Sequence, residues 1–347
     1  MFISNDNGLN WTASGLTNHS VRAITISGNN IFAGTNSGVF LSQNNGTSWS
    51  AVNNGLTNPD ISSLELSGSK IYAGTGDGVY LSQNNGQSWS ALNNGMTNQN
   101  VKSIVFSGSR IFAGTDAGVY LSQNNGNSWT AVNNGLLNLN INSLSLNGSM
   151  LYAATGSGIF FSQNNGSSWT GVNNGLTNLN VNSFGINGTN IFAGTDGGVF
   201  LTINSGQNWV EKNQGFDSIP RIYSMLVAHN YVFAGTGGQS IWIHALPGLL
   251  SLQNIPSEVP SGYKLEQNFP NPINPATNIK FSIPKSSLVR LSVFNVAGME
   301  VETLLNETLT PGTYQTSWEA SKYSSGVYFC KLQSESFSET KRMILIK

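Results

Sequence analysis

Charge is what this chain most lacks. Of 347 residues, 15 are Lys or Arg and 16 Asp or Glu, 9% in all with a net charge of −1, against a usual charged share of roughly 25%. Without a basic block, the phosphate neutralisation that drives nucleic-acid binding has no source. No run of 18 apolar residues occurs, so no membrane-spanning helix is expected. The single cysteine, Cys330, excludes an intrachain disulfide framework and a cysteine-based zinc cluster. Cysteine poverty alone leaves the compartment open, because a chain of this length buries a core without covalent staples. What is abundant is glycine, 39 residues, together with 17 Phe, 10 Tyr and 8 Trp. That aromatic content excludes disorder over most of the chain.

Internal repetition decides the fold. Tryptophans fall at Trp49, Trp89, Trp129, Trp169 and Trp209, a constant step of 40, and Trp11 precedes them by 38. Each closes a block of the type SQNNGTSW (42–49); the first copy is SNDNGLNW (4–11) and the last TINSGQNW (202–209). A second block, FAGT or YAGT, with YAAT at 152–155, keeps the same step from 32–35 to 192–195 and recurs at 233–236. One period reads as four short strands. ISSLELSG carries Ile61, Leu64 and Leu66, KIYAGT is apolar on both faces, and VYLSQ and SWSAL follow. Asn85-Gly86 between the last two supplies the positive φ of a tight hairpin. Four strands per 40 residues, with turns every 8–12, is the pattern of a propeller blade. No helical periodicity competes before residue 246.

A lone four-stranded blade cannot bury both faces, so blades stacked round an axis are expected to cover one another, and a doubly covered second strand need not alternate. The chain begins inside a blade: Met1 aligns with Val39, Phe2 with Phe40, Ile3 with Leu41 and Ser4 with Ser42. The unit at 221–246 has three strands and no Trp strand. The simplest closure lays the first Trp strand, about 9–14, onto that sheet, giving six blades as the chain stands. An intact protein that continues upstream would have seven or more.

The block S-x-N/D-x-G-x-x-W resembles the Asp-box, or bacterial neuraminidase repeat, of sialidases, sortilin-type receptors, xyloglucanases and propellers similar to photosystem II assembly factors. The resemblance covers 1–246. It implies that the box lies between strands three and four, its acidic residue capping the turn and its Trp packing in the blade. Here the acidic position is Asp6 once and Asn44, Asn84, Asn124, Asn164 and Asn204 elsewhere. Asn keeps the acceptor oxygen and loses the charge. These positions, with Trp11, Trp49, Trp89, Trp129, Trp169 and Trp209, therefore read as structural.

An active site would need distinct residues converging from several blades. The sialidase resemblance implies an arginine triad, but of Arg22, Arg110 and Arg221 the first two lie toward opposite faces of the ring. A glycosidase needs two carboxylates flanking the scissile bond. Asp116 and Asp196, equivalent residues of the strand 2–3 turn two blades apart, are the one candidate pair, and Asp is also an ordinary turn residue. His19, His229 and His244 show no zinc-type spacing; no nucleophile elbow and no phosphate loop occurs. Neither cofactor nor metal is expected. The loops GLTNPD, GMTNQN, GLLNLN and GLTNLN place Asn58, Asn98, Asn138 and Asn178 on a neutral rim, on the face of the strand 2–3 turns. Such a rim suits protein or polymer recognition. Almost every aromatic sits at a periodic core position, which weakens a sugar site.

Composition shifts near residue 247, with 14 charged residues before it and 17 after. A Pro/Ser linker, 247–262, shows few signs of regular structure. Short alternating strands then predict a small Ig-like β-sandwich over 263–347 with Cys330 buried and inert. This region resembles the type A C-terminal sorting domain of type IX secretion cargo, the Por secretion tail. The matching residues are Asn268, Pro270, Asn271, Pro272, Asn274 and Pro275, then Gly298, Gly312, Tyr314, Trp318, Ser325, Gly326, Val327 and Tyr328, and the closing run Lys341 to Lys347. Ile273 and Cys330 stand where Phe and Tyr are commoner. The resemblance implies export by a signal peptide, outer-membrane passage directed by the tail, removal of the tail, and a Bacteroidetes-like source. The first 20 residues show no signal peptide, which with the mid-blade start points to a truncated gene.

The sequence thus predicts an all-β protein: a propeller over 1–246, a linker and a sorting domain. Its partners are the type IX machinery, through 263–347, and an extracellular protein or glycan. It reads as a monomeric, non-catalytic adhesion or binding module, extracellular or on the outer cell surface. A polysaccharide-binding or weakly hydrolytic propeller using Asp116 and Asp196 is the alternative.

Overall fold

A computed structural model describes residues 1–6, 8, 10–213, 215–229, 231–246, 253–255, 259–320, 323–334 and 337–346. All named elements are strands, in two compact units, Met1–Ile243 and His244–Lys347.

The first unit is a β-propeller. Five blades carry four antiparallel strands each, in chain order. The second is Ile61–Ser67, Lys70–Thr75, Gly78–Ser82 and Ser90–Ala91. The second strands are buried on both faces, with Ile71, Tyr72 and Ala73 sealed between neighbouring blades, as their unbroken apolar run predicts. Each inner strand carries a β-bulge after its first residue, between Ile61 and Ser63 and at every equivalent position. The extra residue turns a spacing of three into one face. Ile61 and Leu64 are therefore both buried, and alternation appears only beyond them.

Two features differ from the sequence expectation. The Trp strands shrink to two residues, such as Ser90–Ala91. The reason is that the Trp89 N–H leaves the ladder and donates to Asn54 O of the preceding blade (2.9 Å). The first Trp stretch also does not join 221–246: Thr12–Ala13 pairs with Phe2–Ile3 in a two-stranded sheet, and Ile222–Ala228, Tyr231–Thr236 and Ile241–Ala245 form a three-stranded one. The ring thus has seven positions, five of them complete. The two-stranded hairpin holds its own place between the last blade and the first. A Cβ on Gly8 would meet Ile243 and Phe233 of the three-stranded sheet, and one on Gly46 would meet Ile3.

The second unit is a sandwich of two four-stranded antiparallel sheets. One runs Gln253–Ile255, Gly312–Glu319, Ala276–Ile283, Lys264–Leu265; the other Glu300–Leu309, Ser287–Asn295, Gly326–Ser334, Phe337–Leu345. Between them pack Ile279, Phe281, Leu291, Val293, Trp318, Leu332 and Met343. The linker is not wholly irregular, because Gln253–Ile255 pairs with Thr313–Gln315. The rest of 247–258 lies outside the described residues, as does Lys347.

Candidate functional site

The repeated turn before each Trp is built identically in the complete blades. Ser82 Oγ donates to Asn84 Oδ1 (3.0 Å) and accepts from Gly86 N (2.8 Å); Asn84 Oδ1 also accepts from Ser88 N (2.9 Å). Asn44, Asn124, Asn164 and Asn204 repeat the bond to the backbone four residues on. Asp6 accepts instead from both the backbone and side chain of Asn10 (2.8 and 2.6 Å). Those bonds hold its carboxyl below the usual carboxylate range. Asn85 and Gly86 take φ of 55° and 82°, as a tight hairpin requires. With every acceptor turned inward, these side chains are committed to the turn.

The tryptophans do more than fill a blade. Trp89, Trp129, Trp169 and Trp209 donate Nε1 to the carbonyls of Val52, Leu92, Val132 and Val172 in the preceding blade (2.7–2.8 Å). Trp49 and Trp11 lack a complete blade before them and donate to their own Gly46 and Gly8. A spacing of 40 reveals the repeat but not this bond across it.

The inner-strand bulges turn a polar side chain toward the next blade. Arg22 reaches Asp60 (2.6 Å), Lys102 reaches Asn140 (2.5 Å), and Asn142 and Asn182 donate to the carbonyls of Val181 and Ile222 (2.8 and 2.9 Å). This girdle takes up both candidate carboxylates. Asp116 is held by Lys102 and by the Asn100 amide. Asp196 accepts from Arg221 Nε (2.8 Å), Asn180 (2.6 Å) and Asn182 (2.8 Å). Burial by itself would raise the Asp116 carboxyl, but the bonds and charge of Lys102, with Asn100, outweigh it and hold the group below its ordinary value. An anion so fixed does not serve as a proton-donating acid at neutral pH. Arg22 and Arg221 are likewise occupied by Asp60 and Asp196, and neither joins Arg110 in a clamp.

The rim asparagines are half-buried and shape their own loops. Asn58, Asn98, Asn138 and Asn178 accept through Oδ1 from the N–H two residues on, at 2.9, 3.2, 2.9 and 3.0 Å. Asn138 also donates to Ser157 Oγ (2.9 Å). Leu137, Leu139 and Leu179 stand exposed beside them, an apolar contribution that the neutral composition of the loops conceals. No motif marks Glu65 in the sequence. It lies opposite Tyr72, and burial pushes its carboxyl up to about 7. Among the described residues no group of three or more His, Cys, Asp or Glu could hold a metal, and no helix is long and apolar enough to cross a membrane.

In the second unit, buried Asn268 donates to Thr277 Oγ1 (2.9 Å) and Pro270 O (3.1 Å). Asn271 accepts from Ile344 N (2.9 Å) and donates to Arg342 O (3.3 Å). Ile273, fully buried, exchanges backbone bonds with Ile344 and Ile346 (2.7 and 3.0 Å). Pro275 O accepts from Ala320 N (2.8 Å). The proline-rich segment holding Pro272 and Asn274 is thereby tied to the last strand, which carries Lys341 in an ion pair with Glu339 (2.8 Å). Gly326 opens the partner strand opposite Leu345. Tyr328 packs edge-on against Trp318 and donates to Ser324 O (2.8 Å). Cys330 is buried, which pushes its thiol up to about 12.

Residues 267–347 match the secretion system C-terminal sorting domain, and 19–136 and 60–198 match the DUF6242 beta propeller domain. No curated protein matches the chain. Among solved structures, an ancestral GH74 enzyme is similar at 16% identity and a TM-score of 0.56, over 92% of this chain and 58% of its own. PorZ, a bacterial surface component of the type-IX secretion system of Porphyromonas gingivalis, is similar at 13% identity and 0.52, over 94% of this chain and 51% of its own. The chain therefore spans little more than half the length of either, and at these identities the likeness shows the fold alone. The sorting domain indicates export by the type IX system to the cell surface or extracellular space. The chain belongs to the proteins built on a DUF6242 beta propeller domain, here followed by a secretion system C-terminal sorting domain.

Proposed function

We propose that the exported propeller is a non-catalytic recognition module whose rim binds an extracellular protein, and that the sorting domain supplies only its address. One observation carries this reading: the carboxylates that could have formed a hydrolytic pair, Asp116 and Asp196, are spent on cations and amides of the inner-strand girdle. What remains on that face is a repeated loop surface around Asn58, Asn98, Asn138 and Asn178, with exposed leucines at 137, 139 and 179. Near-identical units spaced round a ring suit a broad surface, not a single deep pocket. The turn geometry supports reading the S-x-N/D-x-G-x-x-W blocks as Asp-boxes with a structural role. The binding of Asn271 and Ile273 to the chain's last strand and its end, with Asn268 bracing the segment through Thr277 and Pro270, supports assigning the sorting signal to the joint surface of the proline-rich segment and the strand bearing Lys341.

The test is affinity electrophoresis of the whole protein in gels cast with plant, algal and bacterial polysaccharides, followed by polymer staining. Normal migration in every gel, with a partner recovered by pull-down and lost on Leu137→Asp, is the expected result. Clearing of a polymer overturns the non-catalytic reading. Retardation without clearing replaces the protein partner with a glycan.

A further inference from the structure

Alternation along the strands gives the sheet of Glu300–Leu309, Ser287–Asn295, Gly326–Ser334 and Phe337–Leu345 two distinct faces. Val293, Tyr328, Cys330, Met343 and Leu345 point into the core of the sandwich. Phe294, Val327, Phe329 and Ile344, which alternate with them, point outward and are half-buried. The register gathers these four at one end of the sheet, Phe294 opposite Phe329 and Val327 opposite Ile344. The hairpin tip 295–299 continues the same end, with Val296 73% and Met299 62% exposed. Asn295 Oδ1 accepts from both Ala297 N and Met299 N (3.0 Å each), so the two apolar side chains stand on a fixed turn. Single exposed hydrophobics need no account, but a contiguous apolar end marks an interaction surface.

Charge is ordered about this end. Lys331 and Arg342 share the outer face and lie two residues from Phe329 and Ile344 on their strands, about 7 Å back from the apolar end. Among the described residues no carboxylate pairs with either, whereas Arg290 holds Glu300, Lys341 holds Glu339 and Lys280 faces Glu266. Between the tip and Lys331 the surface dips into a cleft of about 320 Å³, whose lining includes Phe294, Val296, Phe329, Lys331 and Thr340.

We propose that this end of the sorting domain seats on the surface of an anionic lipid bilayer. Val296 and Met299 enter the boundary between headgroups and acyl chains, the cleft over Phe294 and Phe329 takes up part of one lipid, and Lys331 and Arg342 meet the phosphates. The depth order favours a bilayer over a protein partner. Interfacial elements bury their apolar side chains about 5–10 Å deep and keep their cations at headgroup level, and the step of about 7 Å from Phe329 to Lys331 falls in that range. Two exposed apolar side chains and two cations make the contact weak and reversible. The seat deepens the addressing role proposed above, on which it rests, and its test makes no reference to the rim, so either reading can fail alone.

The test is co-sedimentation of the full chain with vesicles of phosphatidylcholine alone, or with about half phosphatidylglycerol, at low salt. Partition onto the anionic vesicles is expected, with little onto the neutral ones, and it should fall as salt screens the cations. Lys331→Gln combined with Arg342→Gln should lower it roughly thirtyfold, about fivefold for each charge at the surface. Val296→Ser combined with Met299→Ser should lower it at least about tenfold. Leu288→Ser, exposed at the opposite end of the same face, should leave it unchanged. All five positions lie at the surface, and unchanged melting shows that the variants keep the fold. Failure to sediment with anionic vesicles overturns the proposal, as does binding that ignores both double variants. Equal partition onto neutral vesicles, or displacement by soluble glycerol phosphate, removes the anionic lipid and overturns it too. Self-association of the chain that Val296→Ser with Met299→Ser abolishes, without lipid binding, assigns this end to a second copy and also overturns it.

Discussion

Glu65 offers the sharpest test of how the blades pack. It stands on the inner-strand face that turns toward the following blade, where the other repeats carry Val105, Ser145 and Gly185. Burial lifts its carboxyl from 4.5 to about 7. The folded chain therefore holds a proton that the unfolded chain releases. The stability this gives is complete below the unfolded value and is lost as pH rises through the folded one. Between pH 5 and pH 8 the full shift corresponds to roughly 2.5 kcal/mol; allowing for partial solvent screening, about 1–2.5 kcal/mol is expected. Glu65→Gln keeps the shape and removes the titration. Denaturant unfolding at pH 5, 6, 7 and 8 should show wild type losing that amount relative to the variant, with the variant about 3–8 °C higher in Tm at pH 8. The difference between the two proteins cancels every other titrating group. Parallel curves across this range refute the buried placement of the carboxyl.

Three further outcomes follow from the same geometry. Trp129→Phe keeps most of the buried ring but leaves the Leu92 carbonyl without its donor, so unfolding should cost about 1–3 kcal/mol less; Trp11→Phe, at the exposed hairpin, should change Tm little. Asn124→Ala removes the acceptor for Ser128 N and the donor to Ser128 Oγ, and should destabilise by about 1 kcal/mol, with rescue by Asn124→Asp measured in the same melts. The Cys330 thiol, pushed up to about 12 by burial, should resist a disulfide reagent at pH 8 in the native protein and react at once in denaturant; fast native labelling would contradict its place between the sheets.

Much of the fold is legible in the residues because the repeat is local. A 40-residue step, Asn-Gly hairpins and the unbroken IYAGT run define each blade from within its own period, and the pattern need only be translated along the chain. The spacing of Ile61, Leu64 and Leu66 even contains the bulge, although a spacing of three followed by two reads first as broken alternation. The sorting domain is equally plain, since its asparagines and prolines sit in a contiguous motif. The carboxylates are less so: Asp116 and Asp196 align in sequence as a pair, yet each is claimed by a cation at the start of an inner strand, Lys102 or Arg221, at a position the alignment does not bring near.

That there are blades, where their turns fall and which residues cap them is written in the local residue order, because those properties depend on neighbours within a few positions. How the ring's ends meet is set by long-range packing. The seat of the first hairpin against Ile243, the Trp bonds into preceding blades and the uncovered faces at Ile24 and Leu226 depend on residues about one repeat or more apart. Such contacts are set by the packing of sheet on sheet round the axis, and a repeat that looks the same in every copy carries no mark of which copy lacks a neighbour.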